Sequence, residues 1–140
     1  MKLESSRFGV IELPPERLFH FPEGIAGLPG KSWALYSPPG ATGYAWLLSA
    51  EDPSKGIVLA QAQRLLPSYT PRHRPEEADA VQAGPREYWI VVRQAPTPGQ
   101  LLLNLFAPIV LNPETRLGVQ VPLVGSEFGL AELFPSEGSV

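Results

Sequence analysis

Short apolar runs alternate along the whole chain with clusters of proline, glycine and small polar residues, and no run is long enough to cross a bilayer. The runs are rich in β-branched and aromatic residues, so they read as strands. The pattern predicts strands over 7–13 (RFGVIEL) and 17–21 (RLFHF), separated by Pro14-Pro15. Strands over 32–37 (SWALYS) and 44–50 (YAWLLSA) form a predicted hairpin through Pro38-Pro39-Gly40, and strands over 56–61 (GIVLAQ) and 86–94 (REYWIVVRQ) follow. Two runs, 101–107 (LLLNLFA) and 108–112 (PIVLN), precede a turn at Asn112-Pro113-Glu114-Thr115 and a last strand within 117–124 (LGVQVPLV). In that strand Val119 and Val121 should face one side and Gln120 the other. Pro108 has no N–H to give a ladder, which places a sheet edge or a bulge there. A short helix is predicted only in 67–84, where Pro75 fits the first turn, Glu76, Glu77 and Asp79 oppose the N-terminal dipole, and Gly84 can end it.

Roughly eight to ten short strands with close turn signals predict a mainly β fold. The expected architecture is a small antiparallel β-barrel or sandwich-like domain with at most one or two short helices. At 140 residues the chain fits one domain, 1–140, with a core of about 2–125 and an acidic C-terminal segment, 126–140. The loop from Phe21 to Gly30 is expected to be ordered, because Gly24 and Gly27 permit tight backbone angles while Phe21 and Ile25 supply apolar anchors.

Charge narrows the partners. Eleven Lys and Arg against fourteen Asp and Glu give a net charge of −3, which argues against nucleic acid and suits a basic protein partner. The arginines at 72, 74, 86 and 93 are interrupted by Glu76, Glu77 and Asp79, so they read as a mixed solvated surface. There is no cysteine, which excludes disulfides and thiolate chemistry. Glu4, Arg7, Glu12 and Glu16 break up the N-terminal apolar pattern that a signal peptide needs, and the chain is read as cytoplasmic. His20 and His73 lie far apart without metal-ligand spacing, and no nucleophile elbow, phosphate loop or dinucleotide fingerprint occurs. No catalytic residue, metal or cofactor is therefore expected.

Polar residues inside or beside strands are the candidates for contact instead. Asn104, Asn112 and Gln120 must either satisfy backbone groups within the fold or offer hydrogen bonds to a partner. Arg116 follows the tight turn and is expected to fix it by pairing with an acidic group or with carbonyls. Glu51-Asp52-Pro53 reads as an exposed turn, with Asp52 able to bond nearby backbone. No Lys or Arg follows Arg116, whereas Glu127, Glu132 and Glu137 do, so the C-terminal end is read as an acidic surface anchored by Phe128 and Phe134.

The stretch NLFAPIVLNPETRLGVQV, 104–121, resembles the motif of the flagellar assembly factor family, FliW: Asn-Leu-x-Ala-Pro-Ile-Val-x-Asn, a turn, then Thr-Arg, Gly and Gln. Arg7-Phe8-Gly9-Val10-Ile11-Glu12, Phe21-Pro22-x-Gly24-Ile25-x-Gly27, Trp46-Leu47-x-Ser49 with Glu51-Asp52-Pro53, and Pro67-x-Tyr69 match further family stretches in order. Ala26 stands where a proline is usual and Leu48 where a glutamine is usual, and 70–100 offers little to match. The resemblance implies a non-enzymatic cytoplasmic protein of β-barrel-like fold that binds flagellin and binds the carbon storage regulator CsrA, keeping it from repressing flagellin translation. The partner-binding candidates are then Glu51, Asp52, Asn104, Asn112, Arg116, Gln120, Glu127 and Glu132. The competing reading is a small-ligand barrel or enzyme in which Trp46 and Trp89 line one cavity.

Overall fold

Short apolar runs separated by turn residues organise the middle of the chain into a meander. In this computed structural model, which describes residues 1–135, β1 is Lys2–Ser5, β2 Gly9–Glu12, β3 Leu18–His20, β4 Ser32–Tyr36 and β5 Tyr44–Ser49. Strand β6 is Gly56–Gln61, β7 Glu87–Gln94, β8 Gln100–Asn112, β9 Leu117–Gln120 and β10 Glu132–Pro135. Strands β3 to β9 pair in sequence, all antiparallel, and a single parallel pairing of His20 with Leu117 joins β3 to β9. The sheet is thereby a closed seven-stranded barrel, which leaves no free edge around its circumference.

One cluster draws Phe19, Trp33, Leu35, Leu47, Leu59, Trp89, Ile109 and Leu111 from six strands of this closed sheet, so it fills the barrel interior. The opposite faces of the same strands are covered in two places. The β1–β2 hairpin buries Leu3 and Ile11 against Ala34 and Leu48 on the outside of β4 and β5. On the other side Ala62, Ala78 and Val81 pack with Ile90, Val110, Val119 and Val121. Val119 and Val121 thus share one face, and Gln120 points to the other.

Several elements differ from the sequence pattern. The first predicted strand is confined to Gly9–Glu12, and its partner β1 has a sequence, KLES, too polar to register as a strand. Segment 67–84 carries a 3-10 helix at Pro75–Val81 that is kinked at Ala78, and it ends at Gln82 (φ 66°), not at Gly84. The helix is held by its ends: Glu77 accepts from the Arg74 N–H, and Ala78 and Val81, three residues apart, enter the core. An unforeseen α-helix, α1, covers Ala62–Leu65 directly after β6. The runs 101–107 and 108–112 form one strand, and residues 132–135 add β10 to the first half of β8. Glu137 lies outside the described residues. No helix among the described residues is long and apolar enough to cross a membrane.

The 21–30 loop folds onto the barrel end. Phe21 is fully buried, Ile25 nearly so, Gly24 and Gly27 take φ of 71° and 78°, and Ala26 donates to the Gln120 side chain at 3.0 Å. Amide exchange should therefore be slow at Phe21, whose N–H donates to Lys31 (2.7 Å), and at Gly24 and Leu28, which close turns inside the loop. Uniformly fast exchange over 21–30 in a native-state exchange experiment would contradict that ordering.

Candidate functional site

Strand β8 pairs with β7 along its length, but its register slips: Trp89 opposes Ile109 whereas Val91 opposes Asn104. Residues 105–108 therefore bulge out of the ladder, and their backbone groups need partners elsewhere. Each has one. The N–H groups of Leu105 and Phe106 donate to the Gly129 carbonyl, and that of Ala107 donates to Asn104 Oδ1 at 3.0 Å. Pro108 has none to place. The four carbonyls accept from the Tyr69 hydroxyl (2.8 Å), the Leu123 N–H, Gln120 Nε2 (3.1 Å) and the Val121 N–H. Asn104, Pro108, Gln120 and Tyr69 of the motif stretches thus account for this bulge, and Gln120 also links it to the 21–30 loop.

The far end of β8 is organised by Asn112, whose side chain is fully buried. Its Nδ2 donates to the carbonyls of Val81 (2.9 Å) and Ala83 (3.4 Å), and its Oδ1 accepts from the N–H groups of Glu114 (2.9 Å) and Thr115 (3.2 Å). Thr115 Oγ1 donates to the same Val81 carbonyl at 2.9 Å. One side chain thus ties the β8–β9 turn to the end of the 3-10 helix. Among the described residues Gln82 and Arg116 are the two non-glycine residues of positive φ, 66° and 59°, and both sit in the turns that Asn112 joins. Such angles strain a side chain, and they persist where surrounding bonds over-determine them.

Arg116 departs from expectation. Among the described residues its exposed guanidinium makes no hydrogen bond or ion pair; its backbone fixes the turn, the N–H donating to Asn112 (2.8 Å) and the carbonyl accepting from His20 (2.9 Å). The expected pairing of its side chain with an acidic group or carbonyls is thus absent among the described residues. Arg116→Ala should shift the urea unfolding free energy by less than about 0.5 kcal/mol, and Arg116→Gly should raise it by up to ~1 kcal/mol by relieving the positive φ. A clear loss in either variant would show a side-chain contact.

The acidic candidates fall into two groups. Glu51 Oε1 accepts from the N–H groups of Lys31 (3.3 Å) and Ser32 (3.1 Å), closing the β4 entry, while Asp52 accepts from the Ser54 N–H and hydroxyl. Those Ser54 bonds hold the Asp52 carboxyl below its ordinary pKa. Buried Ser49 accepts from the Asp52 N–H, which explains the serine of that motif. Through the pairings of His20 with Ser32 and Leu117, this turn and Arg116 share one barrel end. Glu132 and Glu127 lie at the C-terminal segment: Glu132 accepts from the Gly129 N–H at 2.6 Å, and exposed Glu127 has no side-chain bond among the described residues.

Trp46 and Trp89 do not line a common cavity. Half-buried Trp46 lies outside β5 with the Phe8 ring 5.4 Å away and the Arg7 guanidinium 4.6 Å above it, whereas Trp89 is in the barrel-interior cluster. His73 is not free in solvent: its Nε2 is 2.6 Å from the Tyr88 hydroxyl. Exposed His20 makes no side-chain hydrogen bond among the described residues. No group of three His, Asp or Glu side chains comes together as a metal-ligand set among the described residues.

Tyr69 carries the main titration. Burial, with Glu132 and Tyr88 adding to it, raises its pKa above the ordinary 10.0. Its contribution to stability is thus fully present below about pH 10 and falls as pH rises toward the higher folded value. Urea midpoints at pH 8 and pH 11 should show this loss, and Tyr69→Phe should lower stability at pH 8 by about 1 kcal/mol while flattening the alkaline decline. An unchanged alkaline slope in the variant would assign it to another group.

The FliW protein family model matches residues 2–133. The flagellar assembly factor FliW of Geotalea uraniireducens is 33% identical over 131 residues, which cover 91% of this chain and 80% of that one. Flagellar assembly factor FliW 2 of Desulfotalea psychrophila is 32% identical over 139 residues, covering 97% and 92%. A crystal structure of the flagellar assembly factor FliW superposes with a TM-score of 0.84 at 26% identity, covering 99% of this chain and all of that one. With motif residues framing the bulge, the β8–β9 turn and the loops around them, the chain belongs to the FliW protein family.

Proposed function

We propose that the chain is a cytoplasmic flagellar assembly factor that acts by binding proteins and carries out no reaction. It binds flagellin, and it binds the translational repressor CsrA so that flagellin translation is released; free flagellin competes with CsrA for the chain. The family match over residues 2–133 carries this reading. The frame around β8 supports it, because the motif residues spend their polar groups holding loops in place and leave recognition to the side chains those loops expose. Arg116, Glu51 and Asp52 offer one such surface and Glu127 with Glu132 another, while Asn104, Asn112 and Gln120 act from behind.

Acidic side chains suit a repressor whose RNA-binding surface is basic, and steering by them is screened at about 0.1 M salt, where the Debye length is ~10 Å. The test is the association rate of purified CsrA over a salt series, for wild type and Glu127→Gln, the substitution that disturbs no internal bond. The rate should fall with salt and be lower in the variant. A rate independent of both would remove the acidic contact, and absence of association would contradict the function itself.

A further inference from the structure

An open cleft of about 550 Å³ lies between α1, the segment after it and the start of β7. Its lining includes Tyr69, Tyr88 and Trp89, with Arg64, Thr70 and Arg86 among them. The polar ends of the rings are already engaged. The Tyr69 hydroxyl donates to Leu105, that of Tyr88 lies against His73, and Trp89 Nε1 donates to Glu87 at 3.4 Å. Tyr69 and Trp89 are almost fully buried, so half-buried Tyr88 is the aromatic of the lining that offers a ligand apolar surface.

The charges are unevenly spent. Arg86 gives one N–H to the Pro75 carbonyl at 3.4 Å, and exposed Arg64 makes no hydrogen bond or ion pair among the described residues. Glu87 is the acidic side chain in the lining, and it is held by the indole. Arg74, nearby in sequence, differs: it pairs with Glu76 and Glu77 at 3.6 and 3.0 Å. On a chain of net charge −3, the cleft thus keeps an excess of positive charge beside aromatic surface. Arginine beside tyrosine is a composition found in protein-recognition hot spots, and a guanidinium fork matches a carboxylate.

We propose that this cleft binds an acidic peptide segment of a protein partner, with a carboxylate on Arg64 or Arg86 and a neighbouring apolar side chain against Tyr88. The proposal rests on the reading of the chain as a protein-binding factor. It adds a cationic contact distinct from the acidic surfaces. A peptide fits better than nucleic acid, because the wider surface is acidic and would repel a phosphate backbone.

The test uses the full chain and an acetylated, amidated peptide, Leu-Glu-Asp-Leu-Leu, followed by amide chemical shifts. Saturable shifts are expected at 61–64, 69–71 and 86–89. Affinity should drop about fivefold or more in Arg64→Gln and in Arg86→Gln, and similarly for the Gln-Asn counterpart of the peptide. Arg64 is exposed and makes no side-chain bond, so its variant decides the matter even if Arg86→Gln loses stability. No saturable shift, shifts elsewhere, equal binding of the neutral peptide, or displacement by an equal concentration of oligothymidylate would each overturn the proposal. Binding of flagellin and CsrA, measured separately, would stand or fall independently of these outcomes.

Discussion

Asn112→Ala is expected to lower the unfolding free energy by about 3–4 kcal/mol, among the largest effects of any single truncation in this chain. The side chain is fully buried and makes four hydrogen bonds, two given and two accepted. Alanine leaves the Ala83 carbonyl and the N–H groups of Glu114 and Thr115 without that partner, and only Thr115 still reaches Val81. The strain at Gln82 and Arg116 then loses its restraint, so amide exchange should accelerate at 81–84 and 112–116 before the barrel opens. Asn112→Asp should be no milder, because it turns a carboxylate toward two carbonyl oxygens. Urea unfolding followed by circular dichroism measures this, and a loss below about 1 kcal/mol would mean that water replaces the amide.

Gly118→Ala should lose about 2–4 kcal/mol for a different reason, overpacking. A Cβ at 118 would stand within 2.7 Å of three carbons of the Phe21 ring. That ring is fully buried in the barrel-interior cluster with Phe19, Trp33 and Ile109, so it has no free direction in which to retreat. The damage should be recoverable: in the double variant with Phe21→Leu, the two losses should fall short of their sum by at least about 1 kcal/mol. Additive losses would show that the glycine serves the backbone and not the ring.

Both positions explain what the sequence does and does not reveal. The short apolar runs at 44–49, 56–61 and 87–94, rich in β-branched and aromatic residues, announce strands, and Pro108 announces the bulge because proline cannot join a ladder. Strand β1 escapes notice because three of the four residues of KLES are polar, and α1 because four residues cannot display a helical period. Asn104, Asn112 and Gln120 stand out as polar residues in strands, yet their bonds do not. Asn112 reaches carbonyls 31 and 29 residues away and Gln120 an amide 94 residues away, distances over which local pattern carries no information. Arg116 is legible as a turn residue, but the sign of its φ is not, since glycine is the usual occupant of that conformation. The cleft beside α1 depends on a helix that the pattern misses, so Arg64 could not be singled out beforehand.

Displacement tests the account most directly. Labelled CsrA is loaded onto the immobilised protein, and purified monomeric flagellin is added at increasing concentration. The account predicts saturable CsrA binding followed by its progressive release as flagellin occupies the protein. CsrA that fails to bind, or that stays bound in the presence of saturating flagellin, would contradict it.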